Sequence, residues 1–233
     1  MPHQKLDILI TGASRGIGAA IASALGHGHN VVLIGRDYAA LTSVASGLPT
    51  DNVRLVTCDM RSTDDIDRLC QTVGNVDVLI NNAGIAQFGD VVDMPRTDIE
   101  RQVATNLLGP LTMMSNLLPS MLSRKSGMII TVNSVASTTI FRGAAAYSAS
   151  KAGLLAFTRS LRQEVRDHNI KVVDLIVGAT ETEIWSSASR SEHGHRMMTA
   201  DHVADLVGQL VKGFHDDRCM IEEITIRPQL GDL

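Results

Sequence analysis

The sequence predicts an α/β fold: one doubly wound, three-layer α/β/α domain over residues 1–233, built on a parallel sheet of about seven strands. Three observations carry this reading. Apolar runs alternate with longer amphipathic stretches along the whole chain. Several runs are unbroken Val/Ile/Leu segments, as strands covered on both faces require. The first run is followed by a glycine-rich turn and then an alanine-rich stretch, the strand–turn–helix order of a phosphate-binding βα unit.

Taken in order, strands are expected at 6–11, 31–35, 53–58, 76–81, 127–133, 171–177 and 223–227. The stretches between them have helix length. Residues 17–27 are alanine-rich, and 63–73 begin behind Ser62, with Asp64 and Asp65 suited to a helix N-terminus. Pro95 can begin a long helix towards Lys125. Residues 147–167 and 200–212 read as two more helices. The segment 183–198 is polar, rich in Ser, His and Arg, and weakly periodic, so it reads as a loop beside the sheet and a candidate cover for a site. No repeat, low-complexity tract or linker divides the chain.

Composition narrows the function classes. The net charge is −4, which gives no reason to expect nucleic acid or a membrane surface as partner. No apolar run approaches the ~20 residues that span a bilayer. Residues 1–7 are short and polar, without the basic region, long apolar core and cleavage site of a secretion signal. The three cysteines, Cys58, Cys70 and Cys219, have neither disulfide nor zinc spacing, and no metal site is expected. They read as small buried apolar side chains in a reducing cytoplasm. A small-molecule substrate is the expected partner.

The turn itself is Thr11-Gly12-Ala13-Ser14-Arg15-Gly16-Ile17-Gly18. Its glycine spacing is G-x-x-x-G-x-G rather than the general G-x-G-x-x-G, but its place between strand and helix lets a pyrophosphate rest on the helix N-terminus. The second strand ends Gly35-Arg36-Asp37, where the fold brings the adenosine ribose. Arg36 and Arg15 offer two guanidinium groups to a 2′-phosphate, which favours NADP(H). The competing reading makes Arg36 a solvated residue and Asp37 the cap of the next helix.

Chemistry is concentrated further on. Ser134 stands near the end of the fifth strand, and Tyr147-Ser148-Ala149-Ser150-Lys151 opens a helix, with Tyr147 and Lys151 on one face. A free tyrosine has a pKa of about 10. A nearby ammonium and an oxidised nicotinamide ring would favour its phenolate. Tyr147 could then exchange a proton with a substrate oxygen that Ser134 holds, while Lys151 binds the nicotinamide ribose: acid–base catalysis coupled to hydride transfer.

Together these marks resemble the short-chain dehydrogenase/reductase family. They are TGASRGIG at 11–18, CD at 58–59, NNAG at 81–84, Asn106 within ATNLLG, Ser134, and YSASK at 147–151, in that order over nearly the whole chain. The resemblance implies a Rossmann-type sheet, usually of seven strands, and a homotetramer or homodimer. It implies roles as well. Asp59 would contact adenine, with Met60 beside it. Asn82, Ala83 and Gly84 would line the adenine-ribose side of the cofactor. Asn106 would join a proton relay through water and Lys151; read without the family, it could simply distort a long helix. Gly178, Thr180 and Thr182 would lie near the nicotinamide carboxamide.

Two positions depart from the family pattern. Val177-Gly178 replaces the usual Pro-Gly, so the chain there lacks proline's fixed φ. Arg142 stands between Ser134 and Tyr147, where proline is common; it could pair with a substrate carboxylate or phosphate, or be a solvated or interface residue. The C-terminal 221–228 lacks a Gly-rich ending and looks more like NADP-dependent 3-hydroxy-acid and small-alcohol dehydrogenases. The expected activity interconverts a hydroxyl and a carbonyl on a small alcohol, ketone or 3-hydroxy acid. The alternatives are a 3-oxoacyl-thioester reductase and a non-catalytic nucleotide-binding protein. Trp185 reads as an apolar wall or as packing. Seven aromatic residues in the chain argue against a large aromatic-lined pocket.

Overall fold

The computed structural model describes residues 5–233; residues 1–4, most of the N-terminal segment considered above, lie outside them. Two sets of side chains alternate along the strands and define the layers. Ile8, Ile10, Leu33, Val78, Ile80, Ile130 and Val173 face one way; Leu9, Ile34, Leu79, Ile129 and Val172 face the other. Both sets are buried, so the sheet is covered on each side.

The seven strands are β1 (Asp7–Thr11), β2 (Asn30–Gly35), β3 (Val53–Thr57), β4 (Val78–Asn81), β5 (Gly127–Ser134), β6 (Ile170–Val177) and β7 (Glu223–Ile226). All pair in parallel, in the order β3-β2-β1-β4-β5-β6-β7. The order reverses between β1 and β4, and a cleft is expected beyond the C-terminal ends of the strands at that switch.

The helices are α1 (Gly16–Gly26), α2 (Tyr38–Ala45), α3 (Thr63–Val73), α4 (Arg96–Val103), α5 (Gly109–Arg124), α6 (Ala145–Val165), α7 (Ser187–His193) and α8 (Ala200–Lys212). On one face, α1 and α8 supply Ile21, Leu25, Val203 and Val207. On the other, α3, α5 and α6 supply Ile66, Leu69, Met113, Leu117, Leu154 and Leu161. Ser62 caps α3 by accepting from the Asp65 N–H at 3.2 Å, as its position predicts.

Four expectations change. Residues 38–45 form α2, capped by Asp37 accepting from the Ala40 N–H at 3.1 Å. It is short and buries only Leu41 fully, so its periodic signal is weak. The long helix from Pro95 is two helices joined by a wide, π-type turn over Ala104–Leu108. The segment 183–198 is not simply a loop: Ser186 caps α7 by accepting from the Ser189 N–H. Finally, Cys219 is exposed, whereas Cys58 is buried and burial pushes its thiol up to about 12.

Candidate active site

The glycine turn follows β1 and opens α1. Gly12 and Gly16 have φ of +68° and +53°, which side-chain-bearing residues rarely adopt. Arg15 occupies the N-cap of α1 without any side-chain hydrogen bond to the first turn, so the amides there keep their donors for a ligand. The turn is pinned from behind. Thr11 Oγ1 accepts from the backbone N–H groups of Asn82 and Ala83, both at 3.0 Å, and donates to Ile80 O. Asn82 Nδ2 donates to the carbonyls of Thr11 at 2.9 Å and Gly12 at 3.2 Å. Thr11 and Asn82 therefore tie β1 to β4 and shape the turn. This uses up the Asn82 amide N–H groups, so its side chain also has a structural role in the turn.

Arg15 and Arg36 are both exposed and make no hydrogen bond or ion pair among the described residues. Arg36 is close enough to Asp59 to help hold its carboxyl below the usual range, although hydrogen bonding from Arg61 is the larger cause. Asp59 is thus already clasped by Arg61 Nε at 3.0 Å and Nη2 at 2.6 Å, with part of its surface still open. Met60 is buried next to it, its carbonyl against Gly109 of α5. The arrangement fits a dinucleotide: open amides at a helix N-terminus, a backbone cradle without β-carbons, and two unpaired guanidinium groups at the end of β2 and in the turn.

Ser134, Tyr147 and Lys151 are brought together at the C-terminal end of β5. Ser134 ends that strand, and its N–H donates to Asn133 Oδ1 at 2.9 Å. Tyr147 and Lys151 continue the buried stripe of α6, which runs on through Leu154, Thr158, Leu161, Arg162 and Val165. Tyr147 is 9% exposed and Lys151 5%. Burial raises the Tyr147 phenol above its ordinary value, and hydrogen bonding with Ser134 opposes the rise. Burial therefore favours the neutral phenol; the phenolate expected beside an ammonium and an oxidised nicotinamide ring belongs to the cofactor complex. Lys151 Nζ donates to Val132 O at 3.0 Å. Burial pushes its ammonium down to about 8, with Asp174 opposing.

Asn106 lies in the wide turn and bridges to a neighbouring loop. Its Oδ1 accepts from the Ile85 N–H at 2.8 Å, and its Nδ2 donates to Ile85 O at 2.8 Å and to Ser150 Oγ at 3.1 Å. It bonds to the backbone of another segment, not of its own helix. A β-carbon on Gly84 would sit 3.5 Å from Asn106 Oδ1 and 3.7 Å from Lys151 Nζ, so both groups border one small space.

Behind this group, α6 is clamped to β6. Buried Arg162 donates to Asp174 Oδ2 at 2.9 Å and to Val172 O at 2.8 Å, and Thr158 Oγ1 also bonds Asp174. Burial raises Asp174 to about 6 against the pull of Thr158 and Arg162, which leaves it ionised at neutral pH. Nothing in the sequence flags this pair, because Arg162 and Asp174 lie on different elements.

The segment after β6 crosses back to the turn. Thr180 is buried and donates to Gly178 O at 3.1 Å. A β-carbon on Gly16 would touch Thr182 Cγ2 at 3.1 Å, so Thr182 abuts the glycine turn. Val177 ends β6 opposite Ser134 and Ile226, packed in the core. Gly178 stays necessary: a β-carbon there would meet Pro228 Cδ at 3.0 Å. The Arg142 side chain is 90% exposed and pairs with Asp90 at 3.2 Å. Three of the seven aromatic residues, Tyr147 among them, nonetheless meet here. Phe88 stacks on Trp185 with centroids 5.5 Å apart and meets the Tyr147 ring edge-on at 5.8 Å. Sequence reasoning missed Phe88; its one signal was a lone aromatic in the small-residue segment just after NNAG.

Comparison with known proteins agrees with this geometry. The family model described as short chain dehydrogenase matches residues 7–193. A sepiapterin reductase from Chlorobaculum tepidum is 32% identical, with 97% of each chain covered. An uncharacterized oxidoreductase from Staphylococcus aureus is 30% identical over 94% of this chain and 96% of that protein. Among solved structures, a metagenomic short-chain oxidoreductase in complex with NADP is 32% identical, with a TM-score of 0.82 over 98% of this chain and 99% of that one. A single-substitution variant of actinorhodin polyketide ketoreductase with NADPH is 28% identical, with a TM-score of 0.88 and 98% of each chain covered. The sheet order agrees with these matches, and the chain belongs to the short-chain dehydrogenase/reductase family of oxidoreductases.

Proposed function

We propose that this chain is an NADP(H)-dependent oxidoreductase that reduces a carbonyl on a small organic substrate, with Tyr147 as the proton donor. The observation that carries this is the Tyr147 phenol, buried beside Ser134 and Lys151 at the end of β5, where burial favours its neutral form. A protonated phenol is the form that can give a proton to a developing alkoxide. Bound NADPH supplies the hydride that goes to the carbonyl carbon. Ser134 holds the carbonyl oxygen. Lys151, anchored on Val132 O, presents its remaining N–H groups to the nicotinamide ribose and maintains positive charge near Tyr147. Asn106 fixes the Ile85 backbone and Ser150 around this group, and its side chain borders the same small space as Lys151 Nζ. Arg15 and Arg36 take the 2′-phosphate, and the glycine turn takes the pyrophosphate. Support for NADP(H) comes also from the two relatives solved with that cofactor.

The test is an NADPH-oxidation screen over ketones, β-keto acids, aldehydes and acetoacetyl thioesters, run with the wild type and Tyr147→Phe. Turnover by the wild type is expected, with kcat lower in Tyr147→Phe by roughly 10²–10⁴-fold and NADPH affinity nearly unchanged. Equal turnover by the two proteins would remove Tyr147 from the chemistry.

A further inference from the structure

Phe88 and Trp185 reach the site from separate segments, the first after β4 and the second after β6. Both are held in place. On one side of Phe88 the Gln87 N–H donates to Gln102 Oε1 at 2.9 Å; on the other, the Gly89 N–H donates to Gly143 O at 2.8 Å. Trp185 Nε1 donates to Thr180 O at 3.1 Å, and its backbone N–H to Thr182 O at 3.2 Å. The stacked pair is therefore preformed, and Phe88 is still 43% exposed. A half-exposed phenylalanine stacked on a tryptophan, with the Tyr147 ring edge against it, is an uncovered apolar wall beside the reacting oxygen.

The charges nearby point the same way. Arg142, the cation on the neighbouring 138–144 segment, turns outward to Asp90. Glu183, on the Trp185 segment, lies at the glycine turn, where its Oε2 comes within 3.6 Å of where a β-carbon on Gly16 would stand. The 138–144 segment therefore offers an anionic substrate no unpaired cation.

We propose that Phe88 and Trp185 form the specificity-determining wall of the site, and that it selects uncharged carbonyl compounds whose carbonyl carbon bears a flat, conjugated ring, over small alkyl ketones and 3-oxo carboxylates. The proposal rests on the carbonyl-reductase reading above and names the substrate class of that site. The ring of such a substrate lies on the pair while its oxygen reaches Ser134 and Tyr147. Burying and stacking one ring is worth roughly 10–100-fold in kcat/KM.

Trp185 is the only tryptophan in the chain, so its emission reports on this wall without turnover. The first experiment titrates acetophenone, 2-butanone and acetoacetate into the NADP⁺ complex of the wild type and of Phe88→Leu, reading Trp185 fluorescence. Saturable quenching by acetophenone alone is expected, with at least about fivefold weaker binding in Phe88→Leu. The second measures kcat/KM for the same carbonyl compounds with NADPH in the wild type, Phe88→Leu, Trp185→Leu and Trp185→Phe. The two Leu variants are expected to lose about tenfold or more on acetophenone, mainly through KM, and to change little on 2-butanone. Trp185→Phe is expected to restore most of the preference. NADPH affinity should stay within about twofold in all variants, which separates a specificity role from general unfolding. Emission unmoved by acetophenone, equal responses to alkyl and aryl ketones, or a wild-type preference for acetoacetate would each overturn the proposal. Saturable quenching without turnover of any carbonyl compound would leave the wall standing and remove the reductase reading; turnover without aryl preference would do the reverse.

Discussion

At the C-terminal ends of β1 and β2 the cleft is made of backbone: open amides of α1, glycines with positive φ, and a carbonyl cradle that Asn82 and Thr11 hold shut from behind. At the ends of β5 and β6 it is made of side chains: Ser134, Tyr147 and Lys151, with Phe88 and Trp185 brought in by segments far apart in the chain. A backbone site recognises what is common to many ligands, a pyrophosphate above all, and needs only local sequence to form. A side-chain site can differ from one relative to the next without disturbing the sheet. The two ends should therefore fail in different ways when altered.

The sharpest break is expected at the backbone end. A β-carbon on Gly18 would overlap the Gly12 carbonyl and come within 2.5 Å of Asn82 Nδ2, and neither neighbour is free to move. Gly18→Val should weaken NADPH binding by on the order of 100-fold, the upper end of overpacking costs, and should act on Kd before it acts on kcat. Fluorescence titration of NADPH measures this; unchanged affinity would mean the turn does not hold the phosphates. A smaller effect is expected at Arg36, an exposed side chain that salt screens. Arg36→Ala should cut the ratio of NADPH to NADH efficiency by about tenfold at low salt while leaving NADH activity nearly intact. An unchanged ratio would transfer the 2′-phosphate to Arg15.

The mildest test concerns the side-chain end and uses pH. Lys151 titrates at about 8 in the folded chain instead of 10.5. Between those values the unfolded chain holds a proton on this side chain that the folded chain has released, so this group makes stability rise with pH across that window. Melting temperatures of the wild type and Lys151→Met, followed from pH 8 to pH 10, should show the wild type gaining on the variant. A constant difference would mean that Lys151 is not desolvated as its burial implies.

The same division explains what could be read in advance. Gly12, Gly16 and Gly18 follow from what one turn demands, and Tyr147 with Lys151 from the pitch of one helix. Ser62 and Asp37 could be placed as caps because a cap bonds within three residues. Phe88, by contrast, has meaning only once Trp185 lies against it, and Asp174 only once Arg162 reaches it from α6. Nothing in the local sequence encodes such meetings, which depend on strand order and helix placement. Arg142 is open to two readings in the sequence, and in three dimensions it is an exposed side chain paired with Asp90.

The wide turn at Ala104–Leu108 has a further consequence, for length rather than composition. The Gly109 N–H bonds back to Ala104 O, so this turn accommodates one residue more than an ordinary helical turn. The extra residue is absorbed within the turn, so α5 keeps the phase of α4. Deleting one residue here would close the wide turn into an ordinary helical one and take Asn106 away from Ile85, while Met113, Met114 and Leu117 stayed on the sheet. A site whose aromatic wall is made of side chains is thus tied, on its other side, to a fixed residue count.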